Sequence, residues 1–229
     1  MWTFPHYHPG HDPDWPVLTA AYPWLADMAG VPQDPEWHGE GDILTHTKMV
    51  IAALLEQADY QALDEEARHI LFAAALMHDI EKRSTTTRET IGGKTRITSP
   101  RHAKKGEYSA RRLLYTDIPA LFAVREQIAK LVRWHGLPLW AIDKTHPAHR
   151  VISAGLQVNT HWLTLLARAD IRGRICPDAD SLLTRIDLFA ELCRENDSYG
   201  QPRPFATNLA ATTTSTTRTA TPTTNPTTT

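Results

Sequence analysis

From Asp42 onward, apolar side chains recur every three to four residues, the period of helices that bury one face. In DILTHTKMVIAALLEQ, Ile43, Thr47, Val50, Ile51, Leu54 and Leu55 share that face, with His46 beside it. DEEARHILFAAALMHDI carries Leu71, Ala74, Ala75 and His78 along one stripe. Asp64 is placed to cap this helix, with Glu65 and Glu66 in its first turn. SPRHAKKGEYSARRLLY predicts a third helix starting at Ser99-Pro100, a cap followed by proline, with His102 in its first turn. Asp117 is the predicted cap of a fourth, whose stripe is Leu121, Val124, Ile128, Leu131 and Val132. His135 falls on that face, and Gly136 and Pro138 stop the helix. A helix over 159–172 carries Leu163, Leu166, Ala167 and Asp170 on one side. A last one, over about 180–195, turns Leu182, Leu183, Ile186, Phe189, Ala190 and Cys193 inward. No strand or internal repeat stands out, so the expected class is all-α.

The two ends read differently. Residues 1–40 are rich in Pro, Trp and His, and prolines at 5, 9, 13, 16, 23, 32 and 35 exclude a long helix. WPVLTAAYPWLADMAG leaves room for a short one. This arm is expected to wrap over the core through Trp15, Trp24 and Trp37. His6, His8 and His11 could form a metal-binding tract but read better as loop histidines. Residues 207–229, a Thr-rich run, offer nothing to bury and are expected to be disordered. A linker stub, a natural tail and a truncated reading frame all fit that composition. The expected organisation is an arm (1–40), a helical domain (41–206) and a tail (207–229).

Composition adds modest limits. With 229 residues, 41% hydrophobic and 22% charged, the chain can bury one substantial core. Net charge is −2, but its distribution is uneven. Before Lys48 there is no Lys or Arg, while Asp27, Asp34, Glu36, Glu40 and Asp42 are acidic. Between Glu81 and Arg112 the balance is strongly basic. That stretch fits either a phosphate-bearing partner or a solvated loop. Cys176 and Cys193 form no close-spaced motif. The N-terminus lacks a basic and apolar leader, and no apolar run nears the ~18 residues that span a bilayer. The expectation is a cytoplasmic protein with no membrane partner.

The chemistry lies in the polar residues on these apolar faces. A buried carboxylate without a partner costs several kcal/mol. Asp170 sits on such a face, Asp79 adjoins His78 at a helix end, and His46 and His135 lie on or near inward faces. One shared cation would resolve these costs together. Imidazole and carboxylate suit manganese, iron, nickel, cobalt, zinc or magnesium, and the pattern does not choose among them. A divalent cation would activate water and polarise a phosphoryl oxygen. Lys82, beside the doublet, could neutralise charge on phosphate or simply end a helix.

His46, His78-Asp79 and Asp170 resemble the H…HD…D pattern of the HD-domain metal-dependent phosphohydrolases. His102 and His135 are similar to the extra ligands of the variant with a second metal site. FAAALMHDIEK, SPRHAKKGEYSARRLLY, VREQIAKLVRWHG and LLARADIRGR resemble stretches in HD domains of bacterial RNA-processing enzymes. One such domain follows the CCA-adding nucleotidyltransferase. Another precedes a polynucleotide kinase in an RNA end-repair enzyme, and DIRGRICPD, DLFAELC and PRPFA make it the closer likeness. The resemblance covers roughly residues 38 to 206. It implies an HD helical bundle that opens 2′,3′-cyclic phosphates on RNA and removes 2′ or 3′ phosphates. It also implies a first metal on His46, His78, Asp79 and Asp170, and a second on His102 and His135, bridged by Asp79. Asp79 and Lys82 would be the catalytic residues. Lys82, Arg101, Lys105, Arg172 and Arg174 are the expected contacts to phosphate or RNA; for Arg172 and Arg174, pairing with a carboxylate fits equally. Two departures stand out. Glu81 replaces the usual Gly after the doublet, either adding negative charge near the metal or pointing away. There is also no G-x-x-x-x-G-K-[ST] motif, so the chain works alone, belongs to a longer enzyme, or acts beside a separate polynucleotide kinase. Small nucleotides are the alternative substrates, and a non-catalytic scaffold is a weaker third reading.

Overall fold

The computed structural model describes residues 1–200. The Thr-rich tail, and with it the reading of residues 207–229, lies outside the described residues. In chain order the elements are α1 (Trp15–Ala21), α2 (Pro23–Ala26), α3 (Ile43–Leu55), α4 (Ala58–Gln61), α5 (Glu65–Met77) and α6 (Lys82–Thr85). Next come β1 (Thr87–Ile91), β2 (Lys94–Thr98), α7 (His102–Thr116), α8 (Phe122–Trp134) and α9 (Leu137–Trp140). A 3-10 turn, Ala141–Asp143, then leads to α10 (Pro147–Gly155), α11 (Thr160–Arg172) and α12 (Ala179–Glu195). The fold is helical, as the periodicity predicts.

Helix α5 is the axis of the bundle. Asp64 caps it by accepting from the Ala67 amide, and Glu65 and Glu66 occupy its first turn. Burial goes beyond one stripe: every residue from His69 to Met77 is buried. Neighbours α3, α8 and α11 surround it, and α7 packs on α8. Asp42 caps α3 through the Thr45 amide, and Asn159 caps α11 through the Trp162 amide. Together these caps fix where His46, His78 and Asp170 sit along their helices.

Several local expectations need correction. The segment read as strandless holds a hairpin, β1 antiparallel to β2, turning through Gly92 and Gly93 at φ 57° and 77°. Two glycines at positive φ between Thr-rich runs are the turn chemistry of a tight hairpin. Asp117 is not the cap of α8 but the end of α7, because Leu113 and Leu114 carry that helix further into the core. Leu121 precedes α8 and is 74% exposed, so it is not part of the buried stripe. Helix α7 begins at His102, and Arg101 before it adopts φ 60°; Ser99 donates no cap but offers its carbonyl to the His102 ring. Helix α8 ends before Gly136 as expected, but Pro138 also occupies the first turn of α9, and Pro147 starts α10, two short helices not expected from the sequence.

Residues of the Pro/Trp-rich arm pack on the core, Trp24 and Trp15 among them as expected, but of the three expected tryptophans Trp37 is not. Trp24 is buried and Trp15 half-buried, but Trp37 is 40% exposed. Further anchors are Trp2, Phe4 and Tyr7. Tyr7 stacks on Phe72 at 3.7 Å between ring centroids, and its hydroxyl meets Tyr60 at 2.6 Å. The Phe4 amide donates to His69 Nδ1 at 3.1 Å.

The uneven charge along the chain is largely settled inside the molecule. Arg83 pairs with Asp27, and Arg96 pairs with Asp34 and Glu36, so the acidic arm meets the basic stretch. Glu107 gathers Arg111, Lys130 and Arg133 at 3.0, 2.7 and 3.6 Å where α7 meets α8. Burial pushes the Glu107 carboxyl up, but hydrogen bonds from Lys130 and Arg111 hold it below its ordinary value. Its stabilisation is therefore complete above the unfolded carboxyl pKa and lost as pH falls through the lower folded value. Glu107→Ala should cost roughly 2–3 kcal/mol at neutral pH by stranding partly buried cations. The penalty should shrink in acid, read as urea midpoints across pH. An equal penalty at neutral and strongly acid pH would contradict this.

Candidate metal centre

Four imidazoles meet at the top of α5, each oriented by a backbone carbonyl. His46 Nδ1 donates to Gly173 O at 3.1 Å and His78 Nδ1 to Ala75 O at 2.7 Å. His102 Nδ1 donates to Ser99 O at 2.7 Å and His135 Nδ1 to Val132 O at 2.8 Å. A carbonyl can only accept, so each Nδ1 carries a proton, and the Nε2 of each ring presents a lone pair when that ring is neutral. Those lone pairs converge. His102 Nε2 lies 3.3 Å from His135 Nε2 and 3.3 Å from Asp79 Oδ1. His78 Nε2 lies 3.3 Å from Asp79 Oδ2, and His46 Nε2 lies 3.7 Å from the same oxygen.

Asp79 thus faces two ways. Oδ1 turns to His102 and His135, while Oδ2 turns to His46 and His78. Two groups result whose ligating atoms all lie within 4.8 Å of one another: His46, His78 and Asp79, and Asp79, His102 and His135. His46 Nε2, His78 Nε2 and Asp79 Oδ1 are buried without a hydrogen-bond partner, and Asp79 Oδ2 has only its ion pair with Lys82. Acceptors crowded against acceptors in the interior are costly unless a cation lies among them. The donor set is nitrogen and carboxylate oxygen, which suits a divalent ion.

The surrounding charges fit that arrangement. Burial pushes the Asp79 carboxyl up, but Lys82 and the His78 and His102 rings hold it well below the usual range. The Lys82 ammonium is 2.8 Å from Asp79 Oδ2 and donates to Gln33 Oε1 at 2.7 Å. Burial pushes His135 down to about 3 and depresses His102, leaving both rings free to ligate near neutral pH. His78 is the exception: burial would lower it, but Asp79 and Asp170 raise it.

The other expected residues divide. Asp170 Oδ1 lies 3.1 Å from His46 Nε2, yet both its oxygens accept from Arg174, at 3.0 and 2.6 Å. Arg174 is therefore a carboxylate partner, and it also borders the adjoining cavity. That cavity, about 440 Å³, is lined by Gln33, Lys82, His102 and Arg174 among others, but not by Arg101, Lys105 or Arg172. Lys105 instead binds Glu81 at 3.1 Å and Ser84 at 2.6 Å. Glu81 is buried and also accepts from Ser109 at 2.6 Å, so it ties α6 to α7 and belongs to neither ligand group. Arg172 is exposed on α11. His6, His8 and His11 form no ligand group among the described residues.

Three contributors came from the arm and carry no periodic signal. Glu40 Oε1 lies 2.8 Å from His38 Nδ1 and 2.9 Å from His46 Nδ1, and its Oε2 accepts from the Ile175 amide. Gln33 holds Lys82. The only hint in the sequence was the density of acids and histidines before Asp42.

The HD domain family matches residues 43–185, well over half of the chain and all six candidate ligands. The chain belongs to the HD-domain family. No curated protein matches it significantly. HD domains are generally metal-dependent hydrolases, and the His/Asp groups here could hold divalent metal. No helix among the described residues is long and apolar enough to cross a membrane.

Binding of metal to the folded state alone should raise stability. At a manganese concentration about a hundredfold above Kd the gain is about 2.7 kcal/mol. Thermal melts in chelator and in manganese should differ by several degrees, and coincident melts would contradict a metal site in the folded protein.

Proposed function

We propose that this HD-domain chain is a metal-dependent phosphoesterase of RNA ends, opening 2′,3′-cyclic phosphates and removing 2′ or 3′ phosphates. The observation that carries the reading is the two-sided Asp79 with four converging Nε2 atoms around it, two of them buried without a hydrogen-bond partner, beside a cavity of about 440 Å³. His46, His78 and Asp79 would hold one divalent ion, with Asp170 next to them, and Asp79, His102 and His135 a second. Such ions activate a water and polarise a phosphoryl oxygen. Lys82 keeps Asp79 ionised and presents its ammonium to the cavity, where it can take up charge on a phosphate. Arg174 holds Asp170 charged in the interior while facing the same cavity. The likeness of LLARADIRGR and VREQIAKLVRWHG to RNA-repair HD domains supports RNA as substrate.

The cavity volume is that of a single small ligand, which favours a second reading in which the substrate is a free nucleotide. Phosphate release separates the two. RNA oligomers ending in 2′,3′-cyclic, 2′ or 3′ phosphate and the matching mononucleotides would be compared under manganese, nickel, cobalt and magnesium. Higher kcat/KM on an RNA end supports the first reading. Equal or better turnover of mononucleotides overturns it in favour of the second.

A further inference from the structure

The metal centre has a second opening. The cavity beside Lys82 and Arg174 lies on one side of His102. On the other side, a separate groove of about 320 Å³ runs past His102 and His135 between the start of α7 and the α8–α9 corner. Trp140 borders both, so it forms the wall between them. Trp140 is 50% exposed.

The groove's remaining walls combine aromatic and cationic side chains. Trp134 and Arg133 stand on one side, with the guanidinium 4.9 Å from the Trp134 ring centroid. Lys144, just beyond the 3-10 turn, stands on the other and has no carboxylate partner among the described residues. The acid nearest to it in sequence, Asp143, is occupied by Arg185, which also lies over Trp140 at 5.7 Å. Arg133 is balanced in part by Glu107 at 3.6 Å. Among the described residues, the groove therefore presents one free cation, one shared cation and two indole rings beside the proposed phosphoesterase centre.

We infer that this groove binds the single-stranded RNA leading to the processed end. A base stacks on Trp140, and phosphates meet Lys144 and Arg133. The inference rests on the RNA-end reading above and adds the path of the chain. Stacking platforms flanked by Lys or Arg are how proteins hold single strands without reading sequence. An acidic peptide would use the cations but leave the exposed indole idle, which is why RNA is favoured.

The test is binding rather than turnover, on the full chain with manganese present. Fluorescence anisotropy would compare a dinucleotide with a single-stranded RNA of about eight nucleotides, both with 3′-hydroxyl ends. The oligomer should bind more tightly. Trp140→Ala should weaken the oligomer roughly tenfold, the scale of one lost base stack. Lys144→Ala should lower the salt slope of log affinity by about one, the mark of a lost phosphate contact. Both side chains are exposed, so folding should survive, which circular dichroism checks. Equal affinity for the two lengths overturns the inference, as do unchanged oligomer affinity and salt slope in the variants. So does displacement of the oligomer by oligoglutamate at the concentration where unlabelled RNA displaces it. Because 3′-hydroxyl RNA is not turned over, failure of RNA-end hydrolysis alone would count against the proposed function and leave this binding result standing.

Discussion

Asp79→Ala should reduce metal-dependent phosphoester hydrolysis by roughly 10³-fold or more, a loss at the scale of removing a preorganised charge from an active site. The reason is positional. Each ligand group includes one Asp79 oxygen, so a single change removes a member from both. What remains on the His102 side is two neutral imidazoles facing each other at 3.3 Å, and these cannot balance a divalent charge. The alanine variant also strands Lys82, which is only 8% exposed and keeps Gln33 as its partner. An unpaired buried ammonium costs about 3–5 kcal/mol, so this variant should melt earlier as well. Asp79→Asn separates the two effects. It keeps the volume while removing the charge, and should fold yet retain little metal and little activity. Full activity in a folded Asp79→Asn protein would sink the assignment.

Gly173→Ala should destabilise the fold by about 1–3 kcal/mol, the range for overpacking, and should weaken metal binding about 10–100-fold. A Cβ at this position would stand 2.6 Å from the Val50 amide nitrogen and 2.7 Å from Val50 Cγ2. The backbone nitrogen cannot rotate away, so α3 and α11 must part. His46 sits one turn before Val50 on α3, and Asp170 shortly before Gly173 on α11. The Gly173 carbonyl also sets the His46 ring. Separation of the two helices therefore loosens the His46 side of the centre first. Gly136→Ala is the comparison, since nothing lies within 4 Å of its added Cβ and the change should stay within about 0.5 kcal/mol. Urea midpoints and manganese titrations of both variants measure this, and matching values for the two would contradict it.

The candidate ligands are legible because helical period and polarity disagree at them. His46, His78, His135 and Asp170 interrupt apolar stripes, and interior polar groups demand a common explanation. The same method could not find Glu40, His38 or Gln33. They lie where prolines suppress any period, and they reach the centre only because the arm folds back over α3. Gly173 was equally hidden: its φ is ordinary, and only the approach of α3 shows why a side chain is excluded. The hairpin was missed although Gly92-Gly93 announces it, because its strands are largely exposed and show no alternation. Helix α9 is hidden because Pro138, which reads as a stop, also starts a helix well. For Arg174 the sequence leaves phosphate contact and carboxylate pairing equally open, and Asp170 is its partner; Lys105 is legible as a cation but not as the partner of Glu81.

The Asp79-centred cluster is expected to hold divalent metal. Calorimetric titration of metal-free protein with manganese, run in parallel on Asp79→Asn, tests it most directly. Saturable binding to the native chain, at one or two ions per molecule, and its loss in the variant are the expected results. A folded native chain that binds no ion, or a variant that binds as well as the native chain, would contradict it.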